Sequence, residues 1–354
     1  MQTRPFSIAG RAIGPDHPPY CIAEVGVNHN GDIALAKRMV EVAKSAGADA
    51  VKFQTFSAEE FCGDPTQTYS YRSQGQDVTE GMIDMFRRHE FSRAQWAELN
   101  AHCRAVGITF FSTPQNRSDL DMLLTLGVPA IKIGSDDFSN LPLIRDYASA
   151  GLPMLLSCGM ADLAEVYRAL DAAGWFERDT MLALLLCTSQ YPTPPVDVNL
   201  RKLVTLQHAF SGLLTGFSDH TQGPQAASLA TALGARVFEK HFTLDKQLPG
   251  PDHWFSEDPT GLAEWTAAIR SADQMLGSPH VRPTIAEHGM RPVARRSIVA
   301  LRDLAEGERL DSANVGLRRP GDGLPPEMLE RLIGLTATRR IPRGARVALQ
   351  DLRG

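Results

Sequence analysis

The chain has 354 residues, enough for one large α/β domain with a smaller one beside it. Apolar residues make up 43% and charged residues 22%, which excludes a disordered chain and describes an ordinary globular protein. The formal net charge of −5 carries no polyanion-binding signal and argues against a nucleic-acid partner. The longest apolar runs are too short to span a bilayer, and the opening MQTRPFSIAGRAIG lacks the apolar core of a secretory signal, so no membrane role is expected. The five cysteines, Cys21, Cys62, Cys103, Cys158 and Cys187, show no CxxC spacing, and three lie in or at the end of apolar runs. They read as reduced thiols of a cytoplasmic protein.

Eight short runs read as strands: 20–24, 49–54, 108–112, 130–134, 153–157, 181–187, 213–218 and 235–239. Amphipathic segments lie between them, at 32–46, 92–106, 117–126, 141–149, 161–173, 197–210 and 223–233, and another follows at 259–276. Segment 32–46 shows the logic. Ile33, Ala36, Met39, Val40 and Ala43 recur at helical spacing, with Lys37, Arg38, Glu41 and Lys44 on the other side. Asn30-Gly31-Asp32 supplies a turn and an N-cap, and Gly47 ends the segment. Eight strand–helix repeats predict a (β/α)8 TIM barrel of the α/β class. A doubly wound sheet ranks second, because it would usually have fewer repeats and a Gly-rich fingerprint after the first strand, which VGVNHNG is not.

Residues 57–91 form a long polar insertion after the second strand, either a lid or substrate wall or a plain surface excursion. The barrel domain is expected over 1–276. Residues 277–293 carry three prolines and no period, and read as a linker. From 294 to 354 the pattern changes to short strands and turns, a compact β-rich module. Within it DLAEGERL (303–310) and RIPRGARV (340–347) hint at an internal repeat.

The strand ends carry chemistry. They offer Glu24, Lys52 with Gln54, Ser112 with Thr113, Lys132 with Ser135, Ser157, Thr188 with Ser189, Ser218 with His220, and Glu239 with His241. In a barrel these ends meet at one face. The stretch 213–241 reads as strand, helix, strand, which brings His220 and His241 to the same end of neighbouring strands. One histidine there would most simply bond a backbone carbonyl; two in register favour a shared divalent metal. A metal with two lysines and a row of hydroxyls suits an anionic, phosphorylated substrate. Glu24 adds a carboxylate able to position or activate a water. The residues alone describe a metal-dependent barrel enzyme acting on a phosphate or carboxylate compound, with the reaction left open.

Several phrases go further. IAEVGVNHNGDIALAKRMVEVAKSAGADAVKFQTF (22–56), FSTP (111–114), IKIGS (131–135), SCGM (157–160), CTSQYPTP (187–194), GFSDHT (216–221), FEKHFT (238–243) and PGPDH (249–253) resemble the sialic acid synthase family, in order and over nearly the whole chain. RRPGDGL (318–324) and its surroundings resemble that family's C-terminal antifreeze-like (SAF) domain. The resemblance implies a synthase that condenses phosphoenolpyruvate with an N-acylated mannosamine-type sugar, releasing phosphate and forming a nine-carbon 2-keto acid. It implies metal ligation by His220 and His241, for manganese first, with magnesium or cobalt as alternatives. Lys52, Thr113, Lys132, Ser135, Ser157 and Ser218 match the shell around phosphoenolpyruvate, and Glu24 the catalytic carboxylate. Gln54, Tyr191 and Asp252 match residues around the sugar and the metal-bound water, and Arg319 matches an arginine that reaches the sugar's acyl group. Asp137 and Ser189 stand where the N-acetylneuraminate branch has Glu and often Asn, and their surroundings look closer to synthases for diacetamido sugars such as legionaminic acid. The resemblance also implies a domain-swapped homodimer. Rival readings are another phosphoenolpyruvate-dependent aldol-type synthase, of the 3-deoxy-octulosonate kind, and a glycan-binding protein with a dead barrel. The SAF-like tail argues against the first; the complete set Glu24, Lys52, Lys132, His220 and His241 argues against the second.

Overall fold

A computed structural model describes residues 3–354. The chain divides into two compact units, 1–277 and 278–354. In the first, a hairpin of β1 (Phe6–Ile8) and β2 (Arg11–Ile13) comes before the barrel. Next come β3 (Tyr20–Gly26) and β4 (Ala50–Thr55), then an antiparallel excursion of β5 (Thr68–Ser73) and β6 (Gln76–Gly81). The chain continues with β7 (Thr109–Pro114), β8 (Ile131–Ile133), β9 (Met154–Ser157), β10 (Leu182–Cys187), β11 (Leu214–Asp219) and β12 (Val237–His241). β3, β4 and β7 to β12 are parallel and close into an eight-stranded barrel in sequence order, β12 pairing back on β3. The expected α/β barrel is the fold, and each of the eight expected strands is present.

Each barrel strand is buried on both faces, as strands must be when helices cover the outside of a closed sheet. Phe238 shows the outer layer: it packs against Trp265 of the helix Pro259–Leu276, ring centroids 6.4 Å apart. The helix Ile33–Ser45 forms as its pattern dictates. Asp32 caps it by accepting from the amides of Ala34 and Leu35, and Leu35, Ala36, Met39, Val40 and Ala43 are buried. The insertion 57–91 is ordered: a short helix, the β5–β6 hairpin, and the helix Met82–His89. Its two-residue turn, Gln74-Gly75, has both residues at positive φ, the geometry that matches strand twist. Among the described residues no helix is long and apolar enough to cross a membrane.

In the second unit β13 (Ser297–Ala300) pairs with β14 (Val315–Arg318), and β15 (Thr336–Ala337) with β16 (Leu352–Arg353). The suspected repeat is real and self-pairing. Leu304 and Ile341 exchange backbone hydrogen bonds of 2.9 and 3.0 Å. Gly307 N donates to Ala337 O while Gly344 N donates to Ala300 O, both at 2.8 Å. Leu304, Leu310, Ile341 and Val347, at matching positions of the two phrases, share one core. The stretch expected to be an aperiodic linker holds a helix, Ile285–Ala294. Thr284 and Glu287 form a capping box at its start, a signal present in the sequence but obscured by the surrounding prolines. None of its side chains is buried.

Candidate active site

The barrel register assembles the site. Glu24 stands opposite Lys52 on one side and His241 on the other, Gln54 opposite Thr113, and Ser218 opposite Glu239. Side chains alternate across a strand, so Ser218, Glu239 and His241 point inward together. Lys52 Nζ lies 2.7 Å from Glu24 Oε2, 3.0 Å from Thr113 Oγ1 and 3.9 Å from Glu239 Oε2. Lys132 Nζ lies 3.5 Å from Glu239 Oε1, which also accepts a 3.0 Å hydrogen bond from Ser218. Gln54 Nε2 donates to Glu24 Oε1 at 3.4 Å. All four charged groups are almost completely buried. Burial drives the Glu24 carboxyl up to about 7 against the pull of Lys52. Burial also acts to raise Glu239, but Lys132 and Lys52 outweigh it and hold that carboxyl below its ordinary range.

Beside this cluster stand the two histidines, ring centroids 5.4 Å apart. His220 Nδ1 donates to the carbonyl of Thr188 at 2.8 Å, which leaves Nε2 as the lone-pair nitrogen. His241 Nδ1 is buried with no hydrogen-bond partner. Burial, with the charges of Lys52 and Lys132 nearby, holds His241 well below its ordinary pKa and therefore neutral, as a metal ligand must be. Gly26 has φ +54, and a Cβ there would sit 3.3 Å from Asp252 Oδ2, 3.4 Å from Glu24 Oε1 and 3.6 Å from His241 Cε1. Three polar groups thus converge where only glycine fits. Among the described residues no three His, Cys, Asp or Glu side chains stand ready as a metal cage. The donor set fits an open site, with two imidazoles from the protein and the remaining positions left to water and substrate.

A second hollow lies nearby. Gly159 N donates to Ser135 Oγ at 3.0 Å, and a Cβ on Gly159 would meet Ser189 Oγ at 2.4 Å and Ser135 Oγ at 2.6 Å. Ser157 Oγ and Ser189 Oγ are buried without partners. Unsatisfied buried hydroxyls at the same barrel end as two ammonium groups are what an anion with several oxygens would complete. Tyr191 closes the site against His220, ring centroids 4.2 Å apart.

Residues 39–281 match the NeuB family, and residues 295–353 match the SAF domain. The chain belongs to the NeuB family. It is 40% identical to an N,N'-diacetyllegionaminic acid synthase of Legionella pneumophila, over 89% of each chain. It is 36% identical to the human N-acetylneuraminate-9-phosphate synthase, over 92% of this chain and 90% of that one. Among solved structures it resembles an N-acetylneuraminic acid synthetase from Leptospira borgpetersenii, solved in complex with citrate, with a TM-score of 0.73 and 31% identity over 81% of this chain and 95% of that one. This protein is accordingly an enzyme, a synthase of the NeuB family.

In this NeuB-family enzyme Glu24, Lys52, Gln54, Thr113, Lys132, Ser135, Ser157, Ser189, Tyr191, Ser218, His220, His241 and Asp252 gather at the C-terminal end of one barrel. Asp137 does not join them. Its carboxylate accepts from Asn140 Nδ2 at 3.0 Å, at the start of the helix Leu141–Ala148. Its neighbour Asp136 turns toward the site instead, 3.5 Å from Gln115 Nε2. Ser112 also faces away, bonded to Thr55 at 2.7 Å. Arg319 is exposed at the end of β14 in the second unit. Sequence reasoning placed Glu239 at a strand end but gave it no role, although it joins both lysines. Its spacing of two from His241 puts both on one face, but only the barrel register shows that this face meets the lysines.

Behind the site a second ionic network ties down the histidines' neighbours. Lys240 Nζ bonds the carbonyl of Thr221 and lies 3.1 Å from Asp219 Oδ2 and 3.7 Å from Glu257 Oε1. Asp219 also accepts from Thr221 and, at 3.0 Å, from the Trp265 indole. Glu257 N donates to the carbonyl of His241 at 2.9 Å, and Glu257 Oε1 accepts from Gly223 N at 2.7 Å.

Proposed function

We propose that this enzyme condenses phosphoenolpyruvate with an N-acylated mannosamine-type sugar, a 2,4-diacetamido-trideoxy-mannose ahead of N-acetylmannosamine, to give a nine-carbon 2-keto acid and phosphate. One observation carries the reading: Lys52 and Lys132 are both buried at the end of the barrel and share Glu239, and the same end holds serine hydroxyls that have no partner. Lys132, Ser135, Ser157 and Ser218 hold phosphoenolpyruvate, and Lys52 with Thr113 completes its shell. His220 and His241 hold a divalent metal, manganese first with magnesium or cobalt as alternatives, which when bound polarises the sugar's aldehyde oxygen. Gln54, Tyr191 and Asp252 orient the sugar so that its aldehyde carbon meets the methylene of phosphoenolpyruvate, and the carbon–carbon bond forms there. Positive charge develops at the enol-ether carbon, facing the anionic side of Glu24. Glu24 orients a water and takes its proton as the oxygen bonds that carbon. The adduct then collapses: its new hydroxyl gives its proton to the departing phosphate as the carbon–oxygen bond breaks, a ketone remains, and the proton taken by Glu24 passes to the former aldehyde oxygen.

The second unit of one protomer lids the barrel of its partner in a domain-swapped homodimer, with Arg319 offering a planar donor fork to the acyl carbonyl. The enzyme works in the cytoplasm, where its five free, buried cysteines stay reduced. A phosphate-release assay with a panel of sugars tests the reaction. Release that depends on both phosphoenolpyruvate and an N-acylated amino sugar is the expected result; release with arabinose phosphates alone overturns it. Metal content of the His220→Ala protein tests the metal site, with loss of tight binding expected in a barrel that remains folded.

A further inference from the structure

A pocket of about 460 Å³ opens outward from His241, within the range of small-molecule sites. Its two ends differ in chemistry. The inner end is polar, with Gln54, His241 and Asp252. The outer end is walled by Tyr69, Arg72 and Phe86 of the insertion and by Trp254. The hairpin is latched over the pocket by two bonds to the loop before Trp254: Gln74 Nε2 donates to Gln247 O at 3.0 Å, and Gly250 N donates to Ser73 Oγ at 3.1 Å. The Arg72 guanidinium lies over the Trp254 ring, 5.6 Å from its centroid, and makes no ion pair among the described residues.

We infer that this outer wall selects the acceptor by its far end, and that it fits a sugar deoxygenated and acylated there. The inference rests on the reading above, in which the aldehyde carbon meets the histidines. A six-carbon chain anchored at that end has only its last carbons left to face the hairpin. A methyl group there is covered by Tyr69, Phe86 and Trp254 without stranding a hydroxyl, whereas a hydroxymethyl loses water contacts against the rings. Arg72, held over Trp254, presents its donor edge to an amide carbonyl in the far half of the sugar. The same free donor edge would also receive a phosphate, so the 6-phosphorylated acceptor is the rival that the assay has to include. Tyr69, Arg72 and Trp254 are therefore specificity-determining residues contributed by the insertion and the 247–255 loop.

Three acceptors decide the matter: 2,4-diacetamido-2,4,6-trideoxymannose, N-acetylmannosamine and its 6-phosphate. Wild-type enzyme should favour the first in kcat/KM. Trp254→Ala should shrink that preference by roughly ten- to a hundred-fold, through the acceptor KM, with KM for phosphoenolpyruvate unmoved. Trp254→Phe should retain most of it, which separates loss of the wall from loss of the fold. Arg72→Ala should cost the diacetamido sugar more than N-acetylmannosamine. Binding is read separately by saturation-transfer NMR on the unreactive alditol of the diacetamido sugar: its 6-methyl and the far acetamido methyl should take up the most saturation, and lose it in Trp254→Ala. A preference ratio unchanged in both alanine variants, or saturation concentrated at the first two carbons, overturns the inference. Methyl saturation that depends on Trp254, in an enzyme that turns over none of the three sugars, would retain the wall and reject the proposed reaction.

Discussion

Two buried charge clusters lie on opposite faces of β12, one around Glu239 and one around Lys240. The inward one is Glu24, Lys52, Glu239 and Lys132; the outward one is Asp219, Lys240 and Glu257. They meet at consecutive residues of β12, Glu239 and Lys240, and are both buried, yet their completeness differs. Outside, Asp219 accepts from Thr221 and Trp265, Glu257 from Gly223, and Lys240 reaches two carboxylates and a carbonyl. Inside, Glu239 Oε2, His241 Nδ1, Ser157 Oγ and Ser189 Oγ have no hydrogen-bond partner. Desolvation has to be repaid by partners in either place. The outer cluster finds them within the fold and serves as a frame. The inner one stays short of them, which is the state of a site shaped for a ligand.

Substitutions on each side test this contrast. The largest effect is expected at Glu24. Glu24→Gln should lower kcat by about 10²- to 10⁴-fold while the protein still folds. The same residue sets a pH limb. Its carboxyl is raised to about 7 and acts as the carboxylate, so kcat/KM should fall as pH drops through that value, about tenfold per unit, and the residual activity of Glu24→Gln should lack the limb. A variant with near-wild-type turnover would remove the inner cluster from the chemistry.

Lys240→Met probes the frame. It leaves Asp219 and Glu257 buried without their shared cation, and denaturant unfolding should show a loss of about 3–5 kcal/mol. A loss under about 1 kcal/mol, the range of exposed pairs, would reduce the outer cluster to an incidental one.

Lys132→Ala should show the smallest and most selective effect. Losing one charge-assisted bond costs about 1.5–3 kcal/mol, read as a roughly ten- to hundred-fold rise in KM for phosphoenolpyruvate. The sugar KM should stay put, and the stability loss should be smaller than that of Lys240→Met. An effect on the sugar constant alone would reassign the residue. The swapped assembly has its own test: under subunit exchange, Glu24→Gln mixed with Arg319→Ala should regain activity in up to about half of the dimers, and confirmed exchange without recovery would reject the swap.

The local sequence determined a good deal. Eight apolar runs separated by amphipathic segments specified the barrel, because strand and helix periods are local properties. Asp32 and the face led by Ala36 and Met39 specified a helix and its start. Parallel strands of equal direction then put Glu24, Lys52, Lys132, His220 and His241 at one end, so most of the site followed once the barrel did. What the sequence left open depended on contacts distant along the chain. In EKH both faces of β12 are buried, so alternation alone could not say that Glu239 joins the lysines while Lys240 turns to Asp219. Asp136 and Asp137 are adjacent and alike, and only the helix beginning at Leu141, with its Asn140 cap, decided which one turns away. Gln74-Gly75 is a weak hairpin signal, and the hairpin is held by Gln247 and Gly250, far off in the chain. Arg72 over Trp254 belongs to the same class: neither neighbourhood names the other, and packing alone brings the two together at the mouth of the pocket.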